Sequence, residues 1–303
     1  MVLLNIRDIF LVGLGFLQSI VKLLIWRPDV VFTKGGYVCL PVGLAAHILR
    51  IPLVIHDSDA HPGLTNRVLG QWADAIATGA PLHYYNYPAE RSRYVGIPIS
   101  SEFHPLTPKA QREMKQQLGF DAATPLVVVT GGGLGARRIN DAIVAVLDDL
   151  LRFTSVALIS GVGQYDELVK LVPQQNPRFR LQAFVSHGMA DLLGAADVVV
   201  TRAGATTILE LAALAKPTIL IPNGFLTGGH QLKNAAVYAD AGAVMVIDEQ
   251  ELAKTPVVLT TTIKNLLDNP TAQTELAAAF HSFSKPDAAK EVANMILARR
   301  RHG

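Results

Sequence analysis

An α/β fold of two parallel-sheet domains is predicted by three features of this 303-residue chain. Short apolar runs rich in Val and Ile alternate with helical patterns, as in strands buried on both faces. Gly- or Pro-marked turns separate the two kinds of segment, the layout of repeated strand–helix units. The length exceeds one ordinary domain, and 50% of the residues are hydrophobic, enough for two cores.

The elements follow in order. DIFLVGLGFLQSIVKLLIW, residues 8–26, is long and apolar enough to resemble a membrane span. Gln18 and Lys22 interrupt it, and the strand-like DVVFT follows at once. The preferred reading is a helix packed on a sheet, with one apolar face at a bilayer. A signal peptide is not expected, because neither a basic leading segment nor a small-residue cleavage site is visible. Strands are predicted at residues 30–33, 52–56 and 75–78, then at 126–130, 156–160, 180–184, 198–201, 217–221 and 243–247. The boundary falls in VGIPISSEFHPLTPKAQ, where prolines and a polar stretch precede a helix starting near Pro108. This predicts one domain over residues 1–98, with a last helix at 284–303 returning to it, and a second over 99–283. The second opens on a strand–turn–helix. The first begins with a helix, whereas a doubly wound domain begins with a strand and a Gly-rich turn. The first domain is therefore expected to be truncated at its N-terminus.

Charge and cysteine content exclude some functions. The formal net charge of +2 is too small to point to nucleic acid, and none is expected as a partner. The basic run in ILARRRHG reads as a solvated tail or as a contact for anionic lipid. Cys39 is the single cysteine, which rules out an intrachain disulfide or a cysteine metal cluster and fits a reducing compartment.

Five segments carry candidate chemistry, each after a predicted strand. TGGGLGARRIN opens a helix near Ala136, and its glycines let backbone N–H groups approach a phosphate. Gly131, Gly133 and Ala136 also satisfy the spacing of a dinucleotide fingerprint, but the next strand ends ALISGVG without the acid that would hold a ribose. A tight structural turn and a phosphate-facing loop remain. RAGATTILE provides a second anion-ready helix start from about Ala205. Glu210 lies inside that helix, where it is either a solvated or capping carboxylate or a bidentate acceptor for two ribose hydroxyls. The loop 228–231 follows the next strand; Gln231 both donates and accepts, which suits sugar hydroxyls, while a lone His230 reads first as a surface residue. TKGGYVCLP and HDSDAHPGLTNR place Gly35, Gly36, His56, Asp57 and Asp59 at the carboxyl ends of strands, where open α/β sheets bind ligands. Their spacing matches no metal-binding pattern.

Together these segments resemble the MurG family of peptidoglycan UDP-N-acetylglucosamine transferases. The resemblance rests on GGYVCLP, HDSDAHPGLTNR, GIPIS, GGGLGARRIN, FVSHGMADLLGAADVVVTRAGATTILE and GGHQLKNAA, in family order over roughly residues 28–289. It implies the GT-B fold, two Rossmann-like domains facing across a cleft. It implies transfer of N-acetylglucosamine from UDP-N-acetylglucosamine to an undecaprenyl-linked muramyl-peptide, lipid I to lipid II, at the cytoplasmic face of the membrane. No cofactor or metal is implied. By the same resemblance Glu210 holds the donor ribose, and Ala205, Thr206, Thr207, Ile208 and Leu209 present helix N–H groups to the diphosphate. His230 lies with Gln231 on the donor side, and Gln231 contacts the N-acetylglucosamine. Val185 meets the uracil through its backbone. Gly133 stands at a phosphate-facing Ser of the family, and Asp59 at an Asn near the sugar.

The departures are specific. Ser100 replaces an arginine that helps neutralise the donor phosphate, and Ile97 replaces an asparagine. Asp57 replaces a longer acid and is the best remaining candidate for the general base. The family's first Gly-rich loop and its histidine are not seen. These departures lead to the expectation that the chain alone is nearly inactive. The alternatives are a non-catalytic fragment or donor-binding subunit that needs an N-terminal partner, and a GT-B transferase for another lipid acceptor.

Overall fold

The computed structural model describes residues 2–133, 135–172, 175–225 and 229–300. Contacts divide the chain into two units, Met1–Pro98 with Lys285–Gly303, and Ile99–Ser284. Both are α/β with parallel sheets.

The first unit runs α1 (Val2–Trp26), β1 (Val31–Thr33), α2 (Cys39–Ile48), β2 (Leu53–Asp57), α3 (Leu64–Leu69), β3 (Ala75–Thr78) and β4 (Ser92–Tyr94). Its sheet has the order β1-β2-β3-β4, parallel throughout. Every residue of β2 and β3 is buried, which is why LVI and AIA read as apolar runs rather than alternating ones, with His56, Asp57 and Thr78 as buried polar residues at the strand ends. Helix α1 packs on this core through Phe16, Ile20 and Leu23, spaced by about a helical turn. Its other residues include exposed Phe10, Leu17, Val21, Leu24, Ile25 and Trp26. Among the described residues no helix is long and apolar enough to cross a membrane.

The second unit runs α4 (Pro108–Gln117), β5 (Leu126–Thr130), α5 (Arg137–Leu150), β6 (Ser155–Ile159), α6 (Val162–Leu168), β7 (Phe179–Gln182), α7 (Met189–Ala195), β8 (Val198–Thr201), α8 (Ala205–Ala213), β9 (Thr218–Leu220), α9 (His230–Asp240), β10 (Met245–Val246), α10 (Glu249–Lys254), α11 (Val257–Leu267) and α12 (Pro270–His281). Its sheet has the order β10-β9-β8-β5-β6-β7. Thr107 caps α4 by accepting from the Ala110 N–H at 3.2 Å, and Pro108 follows at the first helical position. Ile139, Ile143, Val146 and Leu150 line one face of α5 and meet Val127, Val129 and Val156 of the sheet. The order reverses at β5, with β6 on one side and β8 on the other, so the crevice outside their carboxyl ends is the natural ligand site.

Helix α13 (Ala288–Leu297) closes the chain, and its Val292 packs with Ala77 and Val95 in the first unit. Arg93 of β4 donates to Glu291 at 2.8 Å, and Arg300 donates to Asp29 at 3.1 Å. Strand β4 was not predicted. It is short, half-exposed and carries Arg93, so neither its length nor its pattern marks it. The predicted strand at 243–247 shortens to Met245–Val246, an edge strand, and that at 180–184 moves to Phe179–Gln182.

Candidate active site

A cavity of about 630 Å³ opens at the carboxyl edge of the second sheet, lined by the loop after β5, the start of α5, the ends of β8 and β9, and the first residues of α8, α9 and α10. Two helices begin there without a side-chain cap: α5 after Ala136 and α8 after Gly204. Their first N–H groups are the orphan donors of a helix, and they sit at its positive end. The cavity therefore offers two sets of backbone donors to one anion.

The glycines of the β5–α5 loop are required by geometry. A Cβ on Gly135, which has φ +75°, would lie 2.3 Å from the Ser160 carbonyl oxygen. A Cβ on Gly131 would lie 2.3 Å from the Ala136 nitrogen. Gly133, by contrast, faces open space and lines the cavity, so a side chain there would fit.

Helix α8 separates the predicted donors. Thr207 lines the cavity. The Ile208 N–H is already bonded to the Gly204 carbonyl at 3.0 Å, and Leu209 follows in the same i→i−4 pattern. The uncommitted donors at this end are thus Ala205, Thr206 and Thr207, while Ile208 and Leu209 bury their side chains in the core. Glu210 is not among the cavity-lining residues; it follows Thr206 and Thr207 by four and three positions, on the same helical face. Its carboxyl is half-buried, and burial raises its pKa above the ordinary glutamate range. A desolvated carboxylate with acceptor capacity at this position suits a pair of hydroxyl donors.

Gln231 lines the cavity, and its Oε1 accepts from the Asn223 N–H at 2.8 Å. The bond fixes the amide and leaves Nε2 as the group to face a ligand. His230 opens α9 beside it, whereas Gly228 of the same loop lies outside the described residues. Val185 follows β7 at the far edge of the sheet, and exposed Ser100 accepts from the Glu102 N–H at 3.3 Å; neither lines the cavity.

The sequence reading did not single out Arg138, Thr201, Asn223, Phe225 or Glu249, all of which line the cavity. Arg202, the first residue of RAGATTILE, is buried; it donates to the Ile221 carbonyl at 3.0 Å and pairs with Glu249. Arg138 reaches the other Glu249 oxygen at 3.3 Å. One signal was available in the sequence: Arg137 and Arg138 stand in the first turn of a helix, where cations are disfavoured.

In the first unit, Asp57 ends β2 and is buried. Burial pushes its pKa up to about 7, against hydrogen bonds from Tyr87 and Asn66 that pull it down. The Tyr87 hydroxyl donates to Oδ2 at 2.8 Å. Burial lowers the pKa of neighbouring His56, whose Nε2 lies 2.8 Å from the Gly96 carbonyl and Nδ1 3.2 Å from the Ser58 hydroxyl. The Asp59 carbonyl accepts from Tyr85 at 2.7 Å.

Residues 126–292 match the glycosyltransferase family 28 C-terminal domain, and residues 1–78 match its N-terminal domain. A UDP-N-acetylglucosamine–N-acetylmuramyl-(pentapeptide) pyrophosphoryl-undecaprenol N-acetylglucosamine transferase of Caldanaerobacter subterraneus subsp. tengcongensis is 34% identical over 297 residues, covering 96% of this chain and 80% of the relative. The Bacillus licheniformis protein of that name is 34% identical over 280 residues, covering 91% and 75%. The crystal structure of Acinetobacter baumannii MurG superposes with a TM-score of 0.76 at 26% identity, over 93% of this chain and 77% of that one. An S. aureus MnaA–UDP structure shares the fold, with a TM-score of 0.67 at 12% identity over 94% and 80%. With two family 28 domains in order, this cavity geometry and these relatives, the chain belongs to the MurG family of UDP-N-acetylglucosamine-dependent glycosyltransferases, which have the GT-B fold.

Proposed function

We propose that this chain transfers N-acetylglucosamine from UDP-N-acetylglucosamine to a lipid-linked N-acetylmuramyl-pentapeptide, with the donor held at the carboxyl edge of the second sheet. The observation that carries the donor assignment is the cavity where two uncapped helix N-termini, the glycine loop and Gln231 converge. The diphosphate takes the N–H groups of Ala205, Thr206 and Thr207, together with the backbone at Gly133. Glu210 accepts from the ribose hydroxyls, and the Gln231 amide donates to the sugar. The Val185 backbone, near the edge strand β7, meets the uracil.

In the reaction the acceptor hydroxyl attacks the anomeric carbon of the donor sugar. The bond from that carbon to the diphosphate oxygen breaks, and UDP departs with the electron pair. Backbone N–H groups at the two helix starts stabilise the charge that develops on the leaving oxygen. A base takes the acceptor proton. Asp57 fills that role best in the first unit, because burial sets its pKa at about 7, near the value that serves a base at neutral pH.

The chain meets the membrane through α1. Its exposed Phe10, Leu17, Val21, Leu24, Ile25 and Trp26 form an apolar surface, and the Arg300–Asp29 pair brings Arg300 to the end of that helix. An apolar helix face flanked by cations suits peripheral attachment to anionic lipid at the cytoplasmic face. A transfer assay with labelled UDP-N-acetylglucosamine and a lipid I analogue tests the whole reading. Labelled disaccharide product is expected, formed slowly as the departures at Asp57 and Ser100 imply; hydrolysis to free sugar, or no UDP release with this acceptor, overturns the assignment of acceptor.

A further inference from the structure

Three arginines line the cavity, and their partners differ. Arg137 is held by Glu167 through contacts of 3.3, 3.0 and 3.1 Å. Arg202 is buried and committed to the Ile221 carbonyl and to Glu249. Arg138 is the least committed: its side chain is 43% exposed, and it makes one 3.3 Å contact with the second oxygen of Glu249. A guanidinium carries five N–H donors, so most of its capacity is unused by that contact. Glu249 is the sole carboxylate among the described lining residues and is shared by two cations, so the wall carries surplus positive charge.

Arg138 is also aimed. Its Cζ lies 4.5 Å from the centre of the Phe225 ring, another residue of the cavity wall. Such a contact holds the guanidinium plane while leaving its edge for hydrogen bonds. The residue occupies the first turn of α5, where the helix dipole disfavours a cation unless an anion offsets it. Half of one carboxylate is a weak offset.

We infer that Arg138 binds the donor diphosphate directly, exchanging its contact with Glu249 for a phosphate oxygen. This inference rests on the cavity being the donor site. The exchange leaves no buried charge unpaired, because Glu249 keeps Arg202 when Arg138 turns to the ligand. The planar fork of Arg138 matches two phosphate oxygens, a geometry the backbone N–H groups do not supply.

The test is calorimetry of UDP binding at low and high salt for wild type, Arg138→Gln and Arg152→Gln. Arg152 is a control cation just past the opposite end of α5, paired with Asp149 and 78% exposed. Arg138→Gln is expected to weaken UDP binding about tenfold at low salt and to flatten its salt dependence, as loss of a charge-assisted contact requires. Arg138→Lys should recover part of the loss, and Arg152→Gln should behave as wild type. A salt dependence in Arg138→Gln equal to that of wild type, or losses matched by Arg152→Gln, overturns the role of Arg138 alone. A wild-type chain that does not bind UDP overturns the donor site and this inference together.

Discussion

The Lys115 ammonium lies 2.5 Å from Oδ2 of Asp197, tying helix α4 to the start of strand β8 beneath the second sheet. Oδ2 also accepts from the Leu126 N–H at 2.6 Å, and Oδ1 from Gln111 at 3.2 Å. This carboxylate therefore anchors the amino ends of β5 and β8, the two strands whose far ends form the cavity. Asp197→Ala leaves the nearly buried Lys115 and a strand N–H without their partner. Breaking one side of such a pair costs about 3–5 kcal/mol. Chemical denaturation of the second domain should show a loss of that size, with UDP binding weakened only as the folded fraction falls.

Lys216 lies near the same pair and donates to the Ala196 carbonyl at 3.0 Å. Burial pushes its pKa down to about 8 from the ordinary 10.5, the Asp197 charge opposing the shift. Between these values the unfolded chain holds more protons than the folded one, so stability rises with pH. Below pH 8 the cost of the buried charge is present in full, about 3 kcal/mol. Lys216→Met should stabilise the protein at pH 7 and flatten the rise between pH 8 and 10.5. The Ala196 carbonyl keeps its bond from Gln111 at 2.8 Å. Melting curves across that range check it; an unchanged slope in the variant shows that another group titrates there.

Glu210→Ala should weaken UDP binding by about 1–3 kcal/mol, the scale of a hydrogen bond to a charged group. The pH dependence has a definite sign. The folded carboxyl titrates above the ordinary glutamate range, so acid removes the charged acceptor earlier than for an exposed glutamate. UDP affinity should fall as pH drops through that raised value, and the fall should be missing in Glu210→Gln. Equal affinity for wild type and Glu210→Ala sinks the ribose assignment.

If Asp57 is the base, kcat/KM should fall as pH drops through about 7. The Tyr87 hydroxyl stabilises the charged form of Asp57. Tyr87→Phe should therefore move the acid limb upward by roughly one pH unit, the equivalent of one such hydrogen bond. A limb that stays in place in Tyr87→Phe assigns the titration to another group.

Removing the exposed apolar side chains at the end of α1 should release the chain from vesicles while leaving its fold intact. Ile25 and Trp26 are 73% and 81% exposed, so the core loses little in Ile25→Ser/Trp26→Ser. Burying two such side chains in a membrane surface contributes about 3 kcal/mol, so partitioning should drop by roughly a hundredfold. Flotation with anionic vesicles measures it. Wild-type binding that resists high salt and alkaline carbonate would point to integral rather than peripheral attachment.

Much of the fold was legible in the sequence because parallel strands buried on both faces have little choice of residue. LVVVT, VVVT and AIAT can be little else, and the Gly-rich turns after the first two mark the carboxyl edge. Strand β4 escaped because an edge strand needs no apolar run; parallel pairing to β3 defines it, and Arg93 faces solvent and Glu291. The glycine loop after β5 was legible for a related steric reason. Gly131 and Gly135 answer to close approaches that no side chain survives.

Local sequence by itself thus determined the α/β class, the turn glycines and the helix starts, because each depends on contacts within a few residues. Only the tertiary structure decided which charges meet. Glu249 stands 111 residues from Arg138 and 47 from Arg202, and no spacing rule links them. Asp57 and Tyr87 are 30 apart, and the elevated pKa of Asp57 exists only once the fold has removed water from β2. Desolvation and long-range pairing are properties of the packed chain, and they set the electrostatics of both candidate sites.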